Sequence, residues 1–168
     1  MKEIKPEELK ENPFTLIGKD WMLITAEKES KVNMMTASWG NLGIMWGKNA
    51  ATIYIRESRY TKDFVDNGDH FSLCVLPEEM RDKLNYCGSA SGRNEDKVSK
   101  TGLTVEHDGQ VPYFAESRLV LVCRKLYAQE LKADCFDEKA KGIIDACYAK
   151  GDWHTMYIAE VEKVLVKE

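Results

Sequence analysis

Arg56, Ser58, Arg59 and Thr61 fall within six residues of one another. They offer what a phosphate ester needs: cationic forks, hydroxyl donors and backbone N–H groups near a helix start. Three other segments carry polar residues where strand or loop periodicity predicts a bland surface. They are Asn33 to Trp39 with Thr36 and Ser38, Gly88 to Arg93 with Ser89, Ser91 and nearby Lys97, and Trp153 to Tyr157 with His154. Met35, Trp39 and the Asn33 amide suit a different partner, a flat ring that wants apolar contact and a few hydrogen bonds aimed at its edge. Bland readings stand beside these. A lone Arg56 at a strand end would be a solvated charge, and Ser58 and Thr61 could cap the next helix, a role compatible with phosphate contact. Ser89, Ser91, Arg93 and Lys97 could belong to a surface loop, and His154 could be a satisfied structural histidine. Trp46 reads as an ordinary core aromatic, and Tyr127 and Tyr157 as packing residues.

Other chemistries fail on spacing. Gly43 to Lys48 has three residues between its glycines where a nucleotide-phosphate loop needs four, and Asn49 stands where Ser or Thr is required. No G-x-G-x-x-G occurs, so a nicotinamide cofactor would not be held through a Rossmann fingerprint. His70, His107 and His154 are too scattered for a metal cage. Cys74, Cys87, Cys123, Cys135 and Cys147 form no C-x-x-C pair, which leaves free thiols in a reducing cytoplasm as the expectation.

The elements that must position these residues are mostly strands. Ala51, Ile53 and Ile55 alternate with Thr52, Tyr54 and Arg56, the period of a half-buried strand that ends at Arg56. Trp21–Glu27, the alternating Phe71, Leu73 and Val75, Ser117–Leu131 and Trp153–Lys167 read as further strands. Met35–Trp46 reads as one extended stretch bent at its glycines. Helical turns are expected after Pro6, after Ser58 or Tyr60 with a left-handed close at Asn67-Gly68, from Pro77 to Gly88, and over Asp137–Ala149. GSASGRNEDK reads as a loop. The absence of regular βαβ alternation points to a mainly β fold, a β-barrel with inserted helices.

The 168 residues suit one domain spanning 1–168. Lys and Arg number 24 against 28 Asp and Glu, a formal net charge of −4. Both signs are mixed along the chain, which disfavours a nucleic-acid surface and requires any anion to be held by a local basic cluster. The N-terminus lacks a signal-peptide apolar core, and no run approaches the roughly 18 apolar residues of a spanning helix. A cytoplasmic protein with no membrane partner is expected.

In order, NMMTASWGNLGIMWGK, ATIYIRESRYTKDFVDNGDHFSLCVLP, YCGSASGRNEDKVSKTGL, ESRLVLVCRKLYAQ and DWHTMYIAEVEKVLV cover much of the chain. In these motifs and their spacing the sequence resembles the flavin-reductase-like, FMN-binding split-barrel family, especially its flavoredoxin-like branch. The resemblance implies FMN as cofactor and NADH or NADPH as electron donor. It places Asn33, Thr36, Ser38 and Trp39 along the flavin ring and ribityl chain, and Arg56, Ser58, Arg59 and Thr61 at the phosphate. Ser89, Ser91, Arg93 and Lys97 match a segment that closes over the flavin near the subunit boundary, and His154 matches a position near the ring. Family members are commonly homodimers with sites at the interface, so a homodimer is implied. Two activities follow from the resemblance. One is hydride transfer from NADH or NADPH to FMN, then electron transfer to free flavin or another acceptor, with no obligatory acid, base or nucleophile. The other is a flavoredoxin-like carrier exchanging electrons with a redox protein partner without using nicotinamide. A third reading is a split barrel that has lost flavin.

Overall fold

The computed structural model describes residues 1–168. Its elements begin with β1 (Lys2–Ile4), α1 (Pro13–Thr15, continuing into a wide turn to Asp20), β2 (Met22–Lys28), β3 (Lys31–Ala37), β4 (Gly40–Met45) and β5 (Lys48–Arg56). There follow α2 (Thr61–Asn67), β6 (His70–Val75), α3 (Arg81–Ser89), α4 (Lys97–Thr101), β7 (Val105–Asp108), β8 (Val111–Phe114), β9 (Leu119–Glu130), α5 (Gly142–Tyr148) and β10 (His154–Val166).

The main sheet runs β3-β2-β6-β9-β10-β5-β4, with β1 added beside the end of β10, and β7 and β8 form a separate hairpin. All pairings are antiparallel. Register shifts near Ile158 and Val161 mark irregularities where β10 pairs with β9, and such bulges bend a strand and increase its twist. The fold is mainly β, a split barrel with helices inserted between strands. No helix is long and apolar enough to cross a membrane.

Alternation along the strands supplies two cores. Leu119, Leu121 and Cys123 join Ile24, Ile53, Phe71 and Tyr157 in one buried cluster, while Val120 and Val122 join Leu23, Cys74, Leu84 and Phe114 in the other. The apolar run of β9 is continuous because both of its faces are covered. Each fully buried side chain of this kind contributes about 1.5–3 kcal/mol. The β5 alternation holds as read, with Ala51, Ile53 and Ile55 fully buried and Thr52, Tyr54 and Arg56 half-buried.

Several expectations are corrected. Met35–Trp46 is not one stretch: β3 begins at Lys31, the chain breaks at Ser38-Trp39, and β4 starts at Gly40. Trp46 is not a core residue. It sits in the β4–β5 turn with φ +53° and is 57% exposed, beside the Tyr127 ring, itself partly exposed. Gly68 closes α2 in extended backbone at φ −105°, so no left-handed residue is needed there. Asp137–Ala149 divides into a short 3-10 turn and α5. Gly88 and Ser89 end α3 and Lys97 opens α4, leaving a shorter loop between them. β1 and the β7–β8 hairpin were not expected.

Candidate functional site

β3 and β4 are consecutive in the chain yet lie at opposite ends of the strand order. The Ser38-Trp39 link therefore crosses the seam of the barrel. Gly40 is needed just after it, because a Cβ there would meet the Thr52 carbonyl oxygen at 2.9 Å. Antiparallel pairing of β5 with β10 sets Arg56 opposite His154. The Trp39 and His154 rings then approach to 5.1 Å between centroids. Local strand chemistry thus gathers residues more than a hundred positions apart.

Two connected hollows open along this seam. The larger, about 370 Å³, is lined by Met35, Thr36, Ser38, Trp39, Arg56 and His154 among others. The smaller, about 120 Å³, is lined by Asn33, Thr61, Ser89, Ser91, Gly92 and Lys97 among others. Met35, Ser58 and Arg59 line both. Together they fall within the usual range for small-molecule sites, about 300–1,000 Å³. Every residue singled out from the sequence lines one or the other except Arg93. That side chain stands outside, donating to the Ser58 carbonyl at 2.9 Å with its guanidinium 4.9 Å from the Tyr60 ring centroid.

The smaller hollow is cationic. Lys97 is buried, and its ammonium donates to the Cys87 carbonyl at 3.1 Å and the Ala90 carbonyl at 3.4 Å instead of to a carboxylate. Burial is the main reason its pKa falls to about 8, with Arg59 adding repulsion. Arg59 donates to the Gly88 carbonyl at 2.7 Å, and burial and then Arg56 lower its pKa as well. A buried and a half-buried cation, both held by neutral carbonyls, make a site that an anion stabilises.

Other members of the set are spoken for, which sequence alone did not reveal. The Arg56 guanidinium donates to the Asp152 and Cys147 carbonyls at 2.8 and 3.1 Å. The Ser58 backbone N–H and hydroxyl both donate to the Asp152 carboxylate, at 2.9 and 2.7 Å. Asp152, at φ +58°, thereby ties the segment before β10 to the end of β5. The Asn33 amide donates to the Thr61 hydroxyl at 2.9 Å, so it braces β3 against α2 instead of reaching for a ring edge. Gly92 packs so tightly on the Asn33 side chain that a Cβ would collide with it. Thr36 donates to the Leu84 carbonyl and Ser89 to the Asn85 and Tyr86 carbonyls. α2 has Tyr60 at its N-cap without a side-chain cap, so neither Ser58 nor Thr61 performs that task.

The larger hollow carries a neutral imidazole. His154 is buried, and its pKa falls to about 4, first through burial and then through Arg56. Its Nδ1 lies 2.7 Å from the Tyr148 hydroxyl. Tyr148 stacks on Trp153 at 4.2 Å. Asp152, Tyr148 and Tyr60 are the residues of the site that sequence reasoning passed over. The signal for Asp152 was faint: Gly151-Asp152 before a long strand is ordinary turn chemistry.

Known proteins agree with this architecture. Residues 16–168 match the family model described as "Flavin reductase like domain". Flavoredoxin from Methanosarcina acetivorans superposes with a TM-score of 0.71 at 20% identity, covering 89% of this chain and 69% of that one. Flavoredoxin of Desulfovibrio vulgaris (Miyazaki F) gives 0.70 at 20% identity, covering 100% and 78%. The NADH:FAD oxidoreductase SgcE6 of Streptomyces globisporus, solved with NAD and FAD fragments, gives 0.65 at 14% identity over 88% and 74%. No curated protein matches the chain.

Proposed function

The chain belongs to the flavin reductase like domain family, and on that premise we propose that it is an FMN-binding oxidoreductase that takes hydride from NADH or NADPH. The observation that carries the reading is buried Lys97 beside half-buried Arg59, cations without a contacting carboxylate, at the closed end of a hollow that widens toward Trp39 and His154. A phosphate monoester fits the closed end, and a ribityl chain and ring fit the wider part. FMN bound there supplies the redox chemistry, accepting hydride and releasing electrons singly or in pairs.

The chain's own residues bind, orient and exclude water. Lys97 and Arg59 neutralise the phosphate, and Thr36, Ser38 and Met35 border the path from phosphate to ring. Trp39 gives a flat apolar wall, held by its contact with His154. Neutral His154 adds no positive charge to that wall, where the neighbouring Arg56 is held by the Asp152 and Cys147 carbonyls. No side chain in the groove is required as acid, base or nucleophile.

A second reading is a flavoredoxin-like carrier that exchanges electrons with a protein partner, favoured by the structural likeness to two flavoredoxins. The two separate on what reduces the protein. Anaerobic mixing of the FMN-loaded protein with NADH or NADPH is expected to bleach the visible flavin band. Bleaching by dithionite or a reduced redox protein, with no response to either nicotinamide, would assign the carrier role. We also place the protein in the cytoplasm as a homodimer. β4 ends the strand order with an unpaired edge, and Ile44 and Trp46 at its tip are exposed apolar side chains that a second copy would cover.

A further inference from the structure

Tyr148 and His154 are both buried, and the Tyr148 hydroxyl lies 2.7 Å from the His154 Nδ1. Neither the hydroxyl nor the imidazole has another hydrogen-bond partner. Neighbours hold the pair in place. Tyr148 stacks on Trp153 at 4.2 Å and carries the Arg56 guanidinium 5.3 Å from its ring centre. The imidazole stands at 84° to the Tyr148 ring, with Trp39 against it at 5.1 Å.

Chemistry decides which atom of the pair carries the proton. The imidazole is neutral, because burial and then Arg56 lower its pKa to about 4, while burial raises that of Tyr148, which keeps its proton. A neutral imidazole has one N–H donor and one bare nitrogen acceptor. A hydrogen on Nδ1 would point at a phenol oxygen, the weaker acceptor, and would leave the Tyr148 O–H idle beside a bare Nε2. With Tyr148 donating to Nδ1, the better donor meets the better acceptor and the hydrogen sits on Nε2. That nitrogen has no partner in the protein. The only unpartnered side-chain polar atoms that are wholly enclosed are the Tyr86 and Ser117 hydroxyls, so the Nε2–H opens onto the larger hollow that His154 lines. Tyr148 does not line that hollow. It belongs to the wall of a neighbouring one, about 610 Å³, which no charged residue lines.

We propose that Tyr148 is a positioning residue whose hydroxyl fixes His154 in the Nε2–H tautomer, so that the imidazole presents an uncharged donor to an acceptor atom on the edge of the ring held in the groove. The identity of that ring rests on the proposed flavin reading, whereas the tautomer rests on the Tyr148–His154 contact alone. An uncharged donor sorts ligands. A carbonyl oxygen or imine nitrogen at the ring edge pairs with it, while an edge that carries only N–H groups would set two donors face to face. The flavin ring carries such acceptors along its edge, and a tautomer fixed beforehand needs no rearrangement when the ring arrives.

Nitrogen-15 NMR of the histidine side chains reads the tautomer in flavin-free protein, and His154→Gln identifies the His154 signals among the three histidines by their loss. At pH 7 the unaltered chain is expected to show His154 as the Nε2–H tautomer alone. Tyr148→Phe, which keeps the ring and removes the hydroxyl, is expected to show both tautomers. A hydrogen on Nδ1 in the unaltered chain, or a pattern that Tyr148→Phe leaves unchanged, would overturn the proposal. Saturation with FMN is expected to move the Nε2–H proton downfield, and an unmoved signal would overturn the donor role. Tyr148→Phe is also expected to weaken FMN and riboflavin alike, by about fivefold to tenfold. The same substitution in His154→Gln should change nothing, because the glutamine amide donates without help from Tyr148. Equal losses in the two backgrounds would overturn the proposal in favour of simple wall packing. If neither flavin binds but the Nε2–H tautomer is found and depends on Tyr148, the flavin reading fails and the hold of Tyr148 on His154 stands.

Discussion

The two sides of Trp39 solve different problems. On one side, Lys97 is buried and Arg59 half-buried, both fixed by carbonyls from α3 and the loop after it, so the fold holds positive charge where water screens it weakly. On the other, rings and aliphatic groups form a hollow without a charge. The first needs defined donors at defined distances, and several of its members are occupied with holding one another. The second needs shape, and much of it comes from the segment between β9 and β10. An anion site therefore depends on single residues, while an apolar site depends on many small contacts.

That contrast is tested most severely at Lys97. Lys97→Met removes the most buried cation and is expected to weaken FMN about 100-fold, roughly 2.7 kcal/mol; fluorescence titration of FMN checks it. Next comes pH. Because burial lowers the free Lys97 pKa to about 8 and a bound phosphate raises it, FMN binding takes up a proton above that value. The dissociation constant is then expected to rise about tenfold per pH unit above pH 8, and Lys97→Met should flatten this.

Much of this was legible in the sequence. The polar types at Arg59, Ser91 and Lys97 stand out against strand and loop periodicity, and the alternation of Ala51 to Arg56 fixes which way β5 faces. What could not be read was commitment. Arg56 and Ser58 look like free phosphate ligands until Asp152, more than ninety residues away, is seen to hold Ser58 through both its donors. Long-range hydrogen bonds leave no periodicity. The break at Ser38-Trp39 was missed for a related reason: it is set by closure of the barrel across β3 and β4, not by a local turn signal. Trp46 was misplaced because an aromatic between two strands reads as core whether or not anything covers it.

Two smaller effects refine the comparison. Asp152→Ala frees both Ser58 donors and loosens the wall shared by the two hollows, and is expected to cost about 1–2 kcal/mol in urea unfolding. The smallest effect concerns His154. Its folded pKa near 4 lies below the ordinary 6.5, so the unfolded chain binds the extra proton between these values and stability falls as pH drops through that window. His154→Gln should make that acid limb of the stability curve shallower in equilibrium unfolding.

The most direct test of a phosphate-reading groove compares FMN with riboflavin, which has the same ring and ribityl chain but no phosphate. Titrated into flavin-free protein at pH 7, FMN is expected to bind one per chain and about 100-fold more tightly than riboflavin. Equal affinities, or no binding of either flavin, would contradict the assignment of Lys97 and Arg59 to the cofactor's phosphate.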